Sequence, residues 1–178
     1  MSNVLIGIIG VILFIGLALA GALFLGPRFA ESRSTSVGAA TVQAVNQVGS
    51  AVSLRNTENA NVLEAGADPD VLRVANYLKA VPVNPSGGSP IVILGAAGQG
   101  SGSEGSLVVG RLPDAAGGEI CSAIVKQTKN ADDRVGTGGY PIVEGAGDLP
   151  TGPTGCFRMG TGNLNALEAE GFYAFARI

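Results

Sequence analysis

Hydrophobic positions along this chain fall into two regimes. From Val4 to Leu25 no residue is charged, and Leu, Ile, Val, Gly, Ala and Phe dominate. An α-helix rises about 1.5 Å per residue, so such a run reaches across the ~30 Å hydrocarbon core of a bilayer. Its apolar residues do not keep to one stripe, so no single face of a soluble domain would bury it. From Arg28 to about Leu54 the pattern becomes amphipathic. Val37, Thr41, Val45, Val48 and Val52 recur three or four residues apart, with Glu31, Arg33, Gln43, Asn46 and Gln47 as the polar surround. Gly26-Pro27 separates the two regimes. An interior proline removes a helical hydrogen bond and clashes one turn back, which predicts a kink or a locally melted segment but no full stop. Read continuously from Asn3, the element is about 50 residues and ~75–80 Å long. A soluble domain this small rarely holds such a helix, so its first half must be bound elsewhere.

The rest of the chain alternates short elements with turns. Arg55 to Gly66 is polar and reads as loop, with room for a helical turn. Asp68-Pro69-Asp70 is a helix start, Asp68 as N-cap and Pro69 in the first helical position, for a short helix ending near Ala80. An extended connector through Pro82 and Pro85 follows. Ile91–Leu94 and Leu107–Val109 read as strands joined by a flexible Gly-rich loop, and Pro113-Asp114 opens a helix running to about Thr128. Ile120, Cys121, Ile124 and Val125 form the buried face of that helix. Asn130 to Gly139 is a turn region, and Pro141–Glu144, Phe157–Met159 and Phe172–Ala176 are candidate strands. The last of these alternates aromatic and small residues with period two, which places it inside a sheet. The fold class is α+β: one long helix against an antiparallel sheet. Residues 1–27 form an apolar membrane-spanning or assembly helix, and residues 28–178 form one head that includes the amphipathic half of the helix.

Composition narrows the function by subtraction. The chain has 11 basic and 14 acidic residues, a net charge of -3, and no His. That balance is no nucleic-acid footprint, and the commonest general base and metal ligand is missing. Gly100-Ser-Gly102-Ser-Glu-Gly105 matches G-x-G-x-x-G after a strand, but a strand-like Ser106-LVVG follows where a dinucleotide site needs a helix N-terminus. It reads as a hairpin loop that binds no nucleotide. Asp132-Asp133 and the Asp68/Asp70 pair lack the further oxygen ligands of a calcium loop. No S-x-x-K motif accompanies the serines. No catalytic residue, metal site or cofactor is assigned, and an enzyme is disfavoured.

Cys121 and Cys156 are the only cysteines. They are too far apart for a redox C-x-x-C pair and too few for a four-ligand zinc site. In an exported protein an even count points to a disulfide, which would tie the helix at Cys121 to the segment before the last strand. Two buried thiols are the alternative.

Three roles compete for the apolar run: a cleaved signal peptide, a permanent anchor, and an assembly helix that leaves the membrane later. Nothing basic precedes it and it is long for a signal peptide's apolar region. As a permanent anchor, its flanking Arg28 and Arg33 would hold the head in the cytoplasm, against the cysteine reading. That conflict disappears if a basic leader preceding Met1 was removed. Gly7, Gly10, Gly16 and Gly21 weaken an isolated helix in water by about 1 kcal/mol each, yet let apolar helices approach closely.

A long apolar N-terminal helix running into an amphipathic half, an α+β head and one C-terminal cysteine pair together resemble type IV pilins. A chain starting at Met1, a head of this size and the first cysteine in a helix (Glu119-ICSAIV) look more like the type IVb branch, with the toxin-coregulated and conjugative thin-pilus pilins. The resemblance implies export, leader removal and N-methylation at Met1, residence in the inner membrane, and then helical homopolymerisation by the pilus assembly machinery into an extracellular filament. Leu5, Gly10, Leu13, Gly16, Gly21 and Pro27 would belong to the assembly helix. The family carries Glu at the fifth mature position, paired with a neighbour's terminal amine, whereas Leu5 stands there here and the first acid is Glu31. Either the numbering does not begin at the mature terminus, or the subunit assembles without that pair. In the second case Leu in place of a carboxylate among apolar helices need not weaken the bundle, but it removes a registration device. The filament's use in adhesion, motility, conjugation or DNA uptake stays open. A single-pass membrane-anchored periplasmic domain is the alternative, with a minor pilin or secretion pseudopilin between the two.

Overall fold

A computed structural model describes residues 2–59, 63, 68–87, 89–94, 107–128, 138–145, 148–161, 167 and 170–178, with the side chains of residues 2–4 and 24–27 outside the description. The elements are α1 (Ser2–Asn59), α2 (Asp70–Val74), β1 (Val92–Leu94), β2 (Leu107–Arg111), α3 (Gly117–Thr128), β3 (Ile142–Val143), β4 (Thr154–Met159) and β5 (Phe172–Arg177). They divide into two units, Met1–Arg33 and Ser34–Ile178. The fold is α+β, a long N-terminal helix with its second half packed on a five-stranded sheet.

Strands run in the order β1-β2-β5-β4-β3. The first three pairings are antiparallel, but β3 runs parallel to β4, Ile142 opposite Arg158 and Val143 opposite Met159. The sheet is therefore mixed at one edge, a correction to the all-antiparallel expectation. Two residues of β3 carry too little pattern to reveal strand direction.

The anticipated stripe on α1 is the core. Val45, Val48 and Val52 are fully buried and pack with Ile93, Val108 and Ala176. Thr41 joins them by donating its hydroxyl to the Val37 carbonyl one turn back, 2.9 Å away, which removes the cost of burying it. Period-two alternation in β5 sorts its two faces. Ala174 and Ala176 meet the helices, while Tyr173 and Phe175 pack with Phe157, Leu107 and Val109 on the other side of the sheet. Small residues on the helix side bring backbones close. A Cβ on Gly110 would stand 3.1 Å from Val45 Cγ2, and one on Gly38 2.9 Å from Ile124 Cγ1 of α3.

Several boundaries differ from the sequence expectations. Gly26-Pro27 lies inside an unbroken α1, so that segment is not melted. The helix continues past Leu54 to Asn59 because its polar end is held from elsewhere. Tyr77 donates to Glu58 Oε2 at 2.7 Å, and Asn59 Nδ2 donates to the Tyr77 hydroxyl at 3.0 Å. Apart from Leu63, which is buried in the core, the remainder of the Arg55–Gly66 loop lies outside the described residues, as do the loop with Gly100, Gly102 and Gly105, most of the Asn130–Gly139 turn and Asp132-Asp133. Helix α2 ends at Val74, well short of Ala80. Asn76 adopts φ 62°, and the Asn76 and Tyr77 amides return to the Arg73 and Leu72 carbonyls, a Schellman closure with Asn in the left-handed position. Asp68 does cap this helix, its Oδ1 accepting from the Asp70 amide at 2.9 Å. Helix α3 starts at Gly117, after a turn through Asp114–Ala116.

Glu170 also sits at φ 62°. A left-handed residue with a Cβ is strained by roughly 1–2 kcal/mol, and unlike Asn it gains no local compensation. Glu170→Gly should therefore raise stability by about 1 kcal/mol, read as the urea midpoint of the detergent-extracted full chain. No change or a loss would mean that the Glu170 side chain contributes what the backbone strain removes.

Candidate assembly surfaces

The first candidate is the apolar half of α1. Every side chain from Leu5 to Ala20 is exposed. Leu5 is 63% exposed, Leu13 62% and Phe14 74%. This is one helix long and apolar enough to span a membrane, and by that measure it could anchor there. A Cβ built on Gly7, Gly10, Gly16 or Gly21 meets nothing within 4 Å. Nothing within the described chain therefore requires glycine at these positions, and their helix-weakening effect is uncompensated inside the molecule. Met1 and the side chain of Pro27 lie outside the described residues.

The second candidate is the disulfide. Cys121 of α3 and Cys156 of β4 are bonded, with Cα atoms 5.3 Å apart and both residues buried. The buried-thiol alternative is thereby excluded. The bridge lies among Ile120, Ile124, Leu112 and Ala174 and pins α3 to the helix-bearing face of the sheet. Around it, Gly117 lies so close to Phe172 that a Cβ would come within 2.7 Å of the ring. Tyr140 meets the same ring edge-on at 5.2 Å, and the Arg158 guanidinium lies 5.9 Å from its centroid.

Electrostatics are modest and peripheral. The hydrogen bond to Glu58 pushes the Tyr77 phenol up, opposed by the Asn59 amide. Asp70 is pulled down chiefly by its hydrogen bond to Arg73, which is itself raised by the same contact. Both partners are solvated, so this ion pair contributes little to stability.

Among the described residues no group of three or more His, Cys, Asp or Glu is placed to hold a metal. A partly open pocket of about 40 Å³ lies beside Ser89, Arg111 and Tyr173, with room for ordered water. Sequence reading missed the Tyr77–Glu58–Asn59 clasp, because its partners are 18 and 19 residues apart with no local signal. Compared with protein-family models, curated proteins and solved structures, the chain has no match.

Proposed function

We propose that this chain is the structural subunit, a major pilin, of an extracellular type IV pilus-like filament that polymerises through its N-terminal apolar helix. One observation carries the reading. A single helix has a first half with bare apolar side chains and glycines that nothing among the described residues requires, and a second half built into a disulfide-braced head. Bare apolar surface of that extent needs either lipid or protein around it. Glycines add nothing against lipid, whereas between helices they permit close approach. Before assembly the apolar half would reside in the inner membrane, and in the filament identical halves would surround it. The role is mechanical, without catalysis or a cofactor. A second reading is a single-pass anchored periplasmic domain or a minor pilin, which an apolar half long enough to span a membrane also accommodates.

The test is to shear cells of the native host, pellet the surface fraction and image it by negative stain with an antibody to the head. Filaments decorated along their length are expected. Subunit found only in the membrane fraction, with no decorated filament, would leave the anchored domain as the better reading. Decoration confined to tips would make it a minor pilin.

A further inference from the structure

From Met1 to Leu54 the only charged side chains are Arg28, Glu31 and Arg33, gathered in one short band of α1. All three are exposed, and Phe29 beside them is 70% exposed. The helix runs unbroken through Gly26-Pro27 into this band. The height of each residue beyond Leu25, the end of the apolar run, therefore follows from the helical rise. Arg28 stands about 4.5 Å past Leu25, Phe29 about 6 Å, Glu31 about 9 Å and Arg33 about 12 Å.

A bilayer's headgroup layer adds roughly 5–7 Å on each side of the hydrocarbon core. With the apolar half across that core, Arg28 and Phe29 fall within the layer. Arg33 starts above it, but its long side chain can bend the guanidinium back. Glu31 has a shorter side chain, and its carboxylate stays on the water side. Guanidinium groups grip phosphate oxygens in pairs, and an aromatic ring suits the boundary between hydrocarbon and water. Solvation alone would not confine charge to this band. Further along the same helix, exposed positions such as Gln43 and Gln47 are neutral.

We infer that Arg28 and Arg33 bind the phosphate groups of anionic lipid at the membrane surface where the apolar half emerges. The inference rests on the membrane stage proposed for the subunit, which the pilin and the anchored domain share. Phosphate lines both faces of a bilayer, so the contact is the same whichever way the helix is inserted.

The chain has no Trp, so Leu23→Trp gives the full-length protein a single fluorescent reporter. Leu23 is 77% exposed and lies about 3 Å inside the hydrocarbon edge. The detergent-extracted variant is reconstituted in vesicles of phosphatidylcholine and phosphatidylglycerol in equal parts. One lipid at a time carries bromine on the shallow part of its acyl chains. Bromine quenches Trp at short range, so the two quenching levels compare how each lipid occupies the helix surface. Phosphatidylglycerol should be favoured about fivefold, the factor that one cation near an anionic surface supplies, and high salt should weaken the preference. Adding Arg28→Gln and Arg33→Gln should abolish it. Equal quenching by the two lipids overturns the inference, and so does a preference that survives the double substitution. A reporter quenched by neither lipid shows that the apolar half is not in the bilayer, and the membrane stage fails together with the inference. If the preference is found while the native host yields no filament, only the pilin reading fails.

Discussion

Replacing Cys121 and Cys156 together by Ala should lower the stability of the chain by about 3–4 kcal/mol, since the cross-link restricts the unfolded ensemble. The bridge closes a loop with a sequence separation of 35, and the chain-entropy model places loops of that length in this range. Two buried sulfurs are also removed beside Ile120, Ile124 and Ala174, and imperfect collapse around them adds to the loss. Packing alone is a weak substitute. Helix α3 lies on the sheet through Ile120 and Ile124, with Gly38 of α1 against the same side chains. Urea unfolding of detergent-extracted full-length protein, followed by circular dichroism, is the measurement. The double variant and the parent held reduced by excess dithiothreitol should lose similar stability. A loss under about 1 kcal/mol would show that packing holds α3 without the bridge.

Much of the fold is legible in the sequence wherever a period is sustained. Val45, Val48 and Val52 announce the buried stripe of α1 because the interval between them matches a helical turn. Alternation of Ala174 and Ala176 with Tyr173 and Phe175 announces an interior strand with two different faces. What is not legible depends on distant partners. The end of α1 is set by Tyr77 reaching back to Glu58 and Asn59. The end of α2 turns on the left-handed Asn76, a conformation that Asn tolerates in many contexts and local pattern does not assign. Close approach at Gly38, Gly110 and Gly117 depends on helix placement, which a sequence containing 28 glycines does not reveal. The candidate site divides the same way. The apolar half of α1 stands out by composition, whereas the tight seat of Gly117 on Phe172 beside the disulfide emerges only once α3 lies on the sheet.

Gly10→Leu and Gly16→Leu should each reduce pelletable filament about tenfold, a deficit of ~1.4 kcal/mol, while membrane insertion stays intact. Insertion survives because either change makes the span more apolar. The subunit's own fold survives because, among the described residues, a Cβ at either position meets nothing within 4 Å beyond its own stretch of helix. Leu is also the better helix former, so the isolated helix gains about 0.8 kcal/mol or less per substitution. A loss of assembly would therefore run against both intrinsic effects and must arise between copies. There, glycine lets backbones approach, and a bulky side chain forfeits the dispersion contacts that lipid cannot replace with specificity. At ~100° per residue Gly10 and Gly16 lie about 120° apart around the helix. Loss in both variants thus means that the helix is enclosed on more than one side, as in a filament core. Loss in one alone would indicate a single helix pair. Leu13→Ile conserves volume and is the mild control. The measurement is sheared, pelletable filament relative to total membrane-extracted subunit. If both leucine variants assemble like the parent, the apolar half is an anchor and its glycines have no packing role.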